Sequence, residues 1–329
     1  MPESTIITEG IQLGVETTYG TSVAANKKLQ SMSIDIGPMW EGQRIRPQGY
    51  IWPTLYPPMR EWSEGSVDGT GVFDEIIYPL NSILSVGVIT TPTGATAARR
   101  HTFTPSSTSV NAVKSYTIEI GDAATRAFKS TGAQFTGFSL NVDKEGGVTV
   151  GGSIIARAII DGITLTATPT LLPLIPMLAT QTSVYLDDTW AGLGTTKATR
   201  LFAAGFEIGN MVSPVWVLDA AQPSFVALAQ SEPSGSVTIV QEYDAAGAGL
   251  LTQMRAGSTK FVQISIVGGL IEGAITYDAL FKLAVKVSGP PTRGDRNGVR
   301  TWEWPADIVH DATGGYAINA VITNSTIAL

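Results

Sequence analysis

Cysteine is absent from the 329 residues. That excludes a disulfide framework, thiol catalysis and cysteine metal sites, and it fits a chain made in a cytosol. Charge is scarce as well. Asp, Glu, Lys and Arg make up 15% of the chain, against roughly 25% in an ordinary soluble domain, while apolar residues reach 43% and the mean hydropathy is +0.16. A lone monomer of this kind would present much apolar surface to water, so part of that surface is expected to be covered by other subunits. Long apolar runs are missing: "TLLPLIPMLA" (170–179) is about half a membrane span and carries two prolines. The start, "MPESTIITEG", has neither a basic nor an apolar signal region, so no secretory signal is expected. Basic clusters are missing too, apart from "RGDRNGVR" (293–300), and the net charge is −7. A sequence-reading nucleic-acid binder needs a basic stripe; contact with a duplex that repels rather than grips remains open.

What the chain does contain is strand signal. The length admits one large domain or two ordinary ones. In 116–120 Tyr116, Ile118 and Ile120 alternate with Thr117 and Glu119, and in 138–142 Phe138, Leu140 and Val142 alternate with Ser139 and Asn141. "DKEGG" (143–147) reads as a hairpin loop with "VTVGGSIIARA" as its return strand. Further strands are expected at 262–266, 281–287, 301–305 and 316–323. Two helices are expected. One spans 74–85, with Asp74 as N-cap and Ile76, Ile77, Leu80 and Leu84 on one face, although Pro79 argues against an unbroken helix. The other spans 244–257, with Asp244 as N-cap, Leu250, Leu251 and Met254 inward, and Gly257 as the stop.

These helices bring out an internal similarity. "SEGSVDGTGVFDEIIYPLNSIL" (63–84) aligns without a gap to "PSGSVTIVQEYDAAGAGLLTQM" (233–254): Gly65-Ser66-Val67 meets Gly235-Ser236-Val237, Phe73-Asp74 meets Tyr243-Asp244, and Leu80 meets Leu250. Upstream, "IDIGP" (34–38) echoes "FEIGN" (206–210). The pattern suggests a diverged duplication, with chance as the competing explanation because the identities are few. Residues 161–199, rich in Pro, Thr and Gly, read as a linker or irregular arm. Residues 41–62 form a second irregular stretch, with Trp52, Tyr56, Trp62, four prolines and three arginines. Aromatics and arginines on a long loop suit an interaction surface; the plainer alternative is a loop that covers the end of a sandwich core.

Groups for chemistry are few. His310 beside Asp311 could form half of an acid–base pair, and His101 stands in "ARRHTFTP", but lone histidines are more often ordinary surface residues. No HExxH, P-loop or GxSxG pattern occurs. The glycines of "GGLIEG" (268–273) and "GGVTVGG" (146–152) do not open a helix after a strand, as a phosphate cradle requires, and suit bulges and turns. Asp187-Asp188 and the pair Asp143/Glu145 lack the ligand count of a calcium site and suit solvated turns. Arg-Gly-Asp at 293–295 falls in an expected hairpin loop and carries no weight as a ligand. No catalytic residue, metal ligand or cofactor is assigned, and the composition suits an assembly subunit rather than an enzyme.

"LGVETTYGT" (13–21) resembles the N-terminal segment of tail tube proteins (major tail proteins) of long-tailed, siphovirus-type bacteriophages. "SYTIEIGD…FTGFSLNVDKEGGVTVGG" in the middle, and "ITYDALFKLAVKVSGPP" followed by "GVRTWEWPADIVHDATGGYAINAVITN" near the end, are similar in order and pattern. The resemblance touches most of the chain but not 161–199. It implies a mainly β fold of β-sandwich or β-barrel modules, each flanked by one helix. Six modules close a ring around a central β-barrel lumen, and rings stack into a tube that conducts genome DNA during ejection. With the duplication, one chain holds two modules and three chains close a pseudo-sixfold ring, a hexamer of one-module chains being the runner-up.

The organisation expected on this basis is an extended N-terminal arm over 1–32, a first tail-tube-like module over 33–160, a linker over 161–199 and a second module over 200–329. Val15, Thr17, Thr18, Tyr19 and Thr21 would lie on a neighbouring subunit, their threonines suiting added-strand pairing; a disordered terminus is the alternative. Arg44, Arg46, Tyr50, Trp52, Tyr56, Arg60 and Trp62 would grip the adjacent ring. Expected partners are further copies of the chain, tape-measure and tail-tip or terminator proteins, and double-stranded DNA passing without sequence-specific contact; no membrane is expected, and the place is the virion tail, assembled in host cytoplasm. The competing classes are another virion protein, such as a head decoration or tail terminator subunit, a carbohydrate-binding β-sandwich using Trp52, Trp62, Trp302 and Trp304, and, last, a glycosidase.

Overall fold

The computed structural model describes residues 9–122, 126–209, 211–219, 224–243 and 255–327. The first part of the chain runs β1 (Gly10–Val15), β2 (Lys27–Leu29), β3 (Met32–Gly42), β4 (Pro58–Thr70), α1 (Ile77–Ile83), β5 (Val88–Thr90), β6 (Arg99–Phe103), β7 (Tyr116–Gly121), β8 (Ala127–Asp143), β9 (Gly147–Ala156), β10 (Ile160–Ile163) and β11 (Thr170–Leu171). The second runs β12 (Thr182–Asp187), β13 (Leu201–Gly209), β14 (Val212–Val215), β15 (Ala227–Gln230), β16 (Ser234–Glu242), β17 (Lys260–Glu272), β18 (Ile275–Val287), β19 (Thr292–Arg296), β20 (Val299–Ile308) and β21 (Ile318–Asn324). The fold is mainly β, and among the described residues the strands do not close into a barrel. Among the described residues, no helix is long and apolar enough to cross a membrane.

One sheet organises the rest. Its strands follow the order β3, β4, β9, β8, β13, β16, β20, β19, all neighbours antiparallel. Alternation decides its two faces. Ile34, Ile36, Val67, Val150, Leu140, Phe206, Val237 and Ala306 point into the core, and polar residues between them point to solvent. A second layer, built of β1, β7, β10 and the first half of β8 on one side and β12, β17, β18 and β21 on the other, covers the core face. The 17-residue β8 belongs to both layers: residues up to Ala133 pair with β7 and residues from Gln134 pair with β9. The handover falls beside Gly132, whose φ of +62° a side chain would resist. Buried aromatics bind the two layers and the two parts of the chain. Phe206 stacks at 5.8 Å on Phe138 and at 5.2 Å on Phe281.

Pairing repeats along the sheet. Ile34, Asp35 and Ile36 face Val67, Ser66 and Gly65, and Phe206, Glu207 and Ile208 face Val237, Ser236 and Gly235 in the same register. Beyond them, Gly152 lies opposite Val67 and Ala306 opposite Val237. In the covering layer β1 runs antiparallel along β7, as β12 runs along β17.

Several expectations change. Asp74 does not cap α1: the cap position is Ile76, without a side-chain bond. Asp74 is buried and accepts hydrogen bonds from the Ser325 backbone N–H, the Ser325 hydroxyl and the Thr326 hydroxyl. Pro79 is tolerated because it occupies the first turn, where its missing N–H has no helical acceptor; the helix is buried on every side rather than along one face. Of the second expected helix, 244–254 lies outside the described residues; residues 255 and 256 are helical, and Gly257 follows at φ +61°. The stretch 161–199, expected as a linker or irregular arm, carries short strands between irregular segments. β10 pairs with β8, β11 with β2 and β12 with β17. β7 is a strand as expected, with both faces buried; Thr166 reaches Glu119 with its N–H at 2.8 Å and its hydroxyl at 2.9 Å. Arg-Gly-Asp lies within strand β19, and the loop of that hairpin shrinks to Asn297 and Gly298, at φ +54° and +79°, the primed turn favoured by Asn-Gly.

Candidate functional site

Three features of the main sheet stand out: its solvent face, its two outer edges, and the arms that leave one end.

The solvent face is acidic and short-chained. Asp35, Glu64, Asp68, Glu207, Glu303 and Asp307 project from it between serines, threonines and glycines. Lys286 stands opposite Asp307, and Arg296 is occupied by Asp143 at 3.1 Å. The middle of the face is a groove of about 700 Å³, lined among others by Ser139, Asn141, Ser153, Gly205 and Ser236. At Gly205 a Cβ would lie 2.2 Å from the Asn141 side-chain oxygen, so the low relief here is enforced by packing. Like charges this dense attract no polyanion; they hold one off over about a Debye length, roughly 8 Å at physiological salt.

The edges differ from the middle. Between β8 and β13 the two parts of the chain are joined by pairing from Phe138 opposite Ile208 to Asp143 opposite Ala203. At the ends of the sheet, β3 pairs with β4 alone and β19 with β20 alone among the described residues. Their outward N–H and C=O groups form open templates for another strand.

Two hairpin arms extend from matching positions. The β13–β16 arm, which carries β14 and β15, folds back: Trp216 lies edge-on to Trp62 at 5.7 Å, the Arg60 guanidinium stands 5.1 Å from the Trp216 ring, and the buried Phe225 accepts a hydrogen bond from Arg157 Nε at 3.0 Å. The β3–β4 arm projects. Ile45 bridges to Leu55, Arg46 donates to the Tyr50 carbonyl at 3.0 Å, Arg44 stands over Tyr56, and Trp40 packs on Tyr56 at 5.2 Å. Ile51 and Trp52 remain 83% and 78% exposed. Of the seven residues expected to grip a neighbour, Arg44, Arg46, Tyr50, Trp52 and Tyr56 therefore share one exposed arm, while Arg60 and Trp62 are engaged by Trp216 of the same chain.

No protein-family model matches the chain, and no curated protein matches it in sequence.

From Gly10 to the turn at 17–20, the chain packs on itself. Residues 10–15, expected as part of an arm on a neighbour, pair with β7 from Gly10 opposite Gly121 to Val15 opposite Tyr116. Gly14 is required there, since a Cβ would lie 2.5 Å from the Ala24 carbonyl. Glu16 is buried and organises the turn after it, accepting from Gly20 N, Ser115 Oγ, Thr117 Oγ1 and Gly132 N at 2.7–3.0 Å. Tyr19 packs toward Gly132, and burial pushes its hydroxyl well above the usual tyrosine range. Thr17, Thr18 and Thr21 stand in that turn, with Thr21 N–H bonded to Thr18 O.

The titratable residues do structural work. His101 is buried, its Nε2 lies 3.1 Å from the Thr326 carbonyl, and burial lowers its pKa, which favours the neutral ring. Asp311 closes its own turn by accepting from Gly314 N at 2.5 Å. Asp187 accepts from Gly194 N, Thr195 Oγ1 and Thr196 N, and Asp188 pairs with Lys260 at 2.5 Å. The four tryptophans that could stack sugars do not share a surface: Trp304 is 2% exposed and Trp62 is covered by Trp216. Sequence reasoning missed the open edges and the acidic face, because both depend on which strands pair.

Proposed function

We propose that this chain is a self-assembling subunit of a tail-tube kind, with two tandem modules, three copies of which close a pseudo-sixfold ring that stacks into a tube for duplex DNA. One observation carries the reading. The seam between β8 and β13 joins two four-strand units within the chain, and the outer edges of the same two units, β3 and β19, stand open. β3 corresponds to β13 through the shared register with β4 and β16. β19 corresponds to the end of β8, because Asn141 faces Thr149 on β9 as Thr292 faces Glu303 on β20. An edge that already has its complement inside the chain is offered again to the next copy. On this correspondence, Gly205 opposite Asn141 becomes Ser33 opposite Thr292 of the neighbouring copy.

Repetition of one seam by rotation is a heterologous contact that closes, and closure removes the open edges. The acidic face, turned to the lumen, keeps DNA from sticking. The shared register also supports duplication over chance, since it was not part of the sequence alignment. The test is negative-stain electron microscopy of concentrated protein, with native mass spectrometry of any ring. Hollow tubes whose rings hold three chains and show three strong and three weaker lobes are expected. Compact monomers at every salt and protein concentration overturn the proposal.

A further inference from the structure

We propose that the projecting arm, residues 43–57, docks sideways on the second half of a neighbouring copy in the same ring, beside Glu232 and Asp311, rather than on a ring above or below. The inference rests on the ring reading and assigns the arm a receptor within it.

The chain contains a worked example of the contact. The second arm follows β13, which is seated on β8, and lands on the far end of β4 and β9: Trp216 on Arg60 and Trp62, Phe225 on Arg157, and Ser224 Oγ accepting from Ala158 N at 3.3 Å. The first arm follows β3, the strand that corresponds to β13. The two arms are built alike. Val215 pairs with Ala227 in one, and Gln43 N–H donates to the Pro57 carbonyl at 3.1 Å in the other. Counting outward from the matched Ile36/Ile208 and Gly65/Gly235 pairs puts Arg44 where Trp216 stands, Thr54 where Ser224 stands and Leu55 where Phe225 stands. The same counting on the receptor puts Gln230 and Glu232 in place of Arg60 and Trp62, and Asp311 and Ala312 in place of Arg157 and Ala158.

The exchanged residues complement each other. In the internal contact an aromatic ring meets an arginine and a tryptophan; in the inferred one Arg44, with Arg46 nearby, meets Glu232 and Asp311. The receptor also has room. A groove of about 460 Å³ opens beside Glu232 and His310, lined by Leu84, Met211, Ile308 and Ile318, and it suits Leu55, which is exposed in the isolated chain. A basic aromatic arm and an acid-rimmed apolar groove, both without cover among the described residues of one copy, are placed by one operation on each other.

The cysteine-free chain allows a direct test. Two double variants are assembled and treated with a short bifunctional thiol reagent, then resolved on a denaturing gel: Ser33→Cys with Thr292→Cys across the strand seam, and Thr54→Cys with Ala312→Cys across the arm contact. Both are expected to give covalent dimers and trimers, with the ladder stopping at three chains. An arm-pair ladder that runs beyond three means that the arm bridges rings and overturns the inference. A trimer from the seam pair with none from the arm pair overturns the arm's placement and leaves the ring standing. If neither pair cross-links, the ring reading falls and the arm's placement with it. A charge swap gives a second readout. Glu232→Arg is expected to raise the concentration needed for ring formation by about tenfold at low salt, and adding Arg44→Glu to the same chain to restore it. A double variant no better than Glu232→Arg alone overturns the pairing.

Discussion

The arm that carries β14 and β15 holds Trp216 between Arg60 and Trp62 and buries Phe225, whereas the arm at 43–57 carries Ile51 and Trp52 into solvent. Both leave the same sheet from corresponding strands, and both are rich in aromatics. The difference lies in what each finds at the end of its reach. The second arm has the first half of its own chain beside it, while the first arm extends past the open edge of β3. Composition alone marks both as sticky. Only the position of a receptor separates a loop that completes its own fold from one that stands in solvent in the isolated chain.

The comparison is broken most sharply at Trp216. Trp216→Ala removes a half-buried ring together with its contacts to Trp62, Phe225 and Arg60, and is expected to cost about 2 kcal/mol of chain stability, below the 3–5 kcal/mol of a fully buried tryptophan. Urea unfolding of the isolated chain measures it; a loss under about 0.5 kcal/mol would mean that the second arm is not held. Trp52→Ala is the mirror experiment. Being exposed, Trp52 is expected to change the isolated chain's stability by at most about 0.5 kcal/mol while weakening assembly, and a loss above about 1 kcal/mol in the same unfolding curves would show that this arm has a partner in its own chain.

The two parts of the chain also hold each other by carboxylates that respond to pH in opposite ways. Asp74 binds the C-terminal segment, and burial raises its pKa above 3.8. Its contribution is therefore complete below pH 3.8 and declines as pH rises through the raised value. Asp74→Asn, which cannot ionise, is expected to gain on the native chain over that rise, and an unfolding midpoint that differs by a constant amount at every pH would refute this. Glu272 reaches from β17 to the N–H groups of Thr96, Ala97 and Ala98 and to the Thr96 hydroxyl, and these bonds lower its pKa to about 2. Its small contribution is present above pH 4.5 and lost as pH falls toward 2. Glu272→Gln should match the native chain's acid unfolding at the low end of that window and fall behind it at the upper end; parallel curves throughout would count against it.

The strands were legible where one face meets solvent. Phe138, Leu140 and Val142 alternate with Ser139 and Asn141 as sheet geometry demands, and the turn between β8 and β9 falls at 144–146. β7 was legible as a strand as well, although its alternation does not show that both its faces are covered. Asp74 misled: before an apolar run it has the look of a helix cap, but its true partners are 251 residues and more away. The candidate site was legible by composition only. By composition the stretch 41–62 reads as an interaction surface, although its ends belong to β3 and β4, and nothing local distinguishes Trp62, which meets Trp216, from Trp52, which does not. The acidic face was foreshadowed by missing basic clusters, but its members are named only once register is fixed, because Asp35, Glu207 and Asp307 come from strands far apart in sequence.

In the proposed ring, the seam between β8 and β13 changes how assembly begins. Every association of free bodies costs about 4–15 kcal/mol of translational and rotational freedom before any contact repays it. In that ring, a chain that already holds two units side by side would have met this cost during synthesis for half the seams, because its own two units meet at the high effective concentration of tethered neighbours. Ring closure then becomes a matter of few encounters. The covalent link acts as a stored act of assembly, carried into every copy by translation itself.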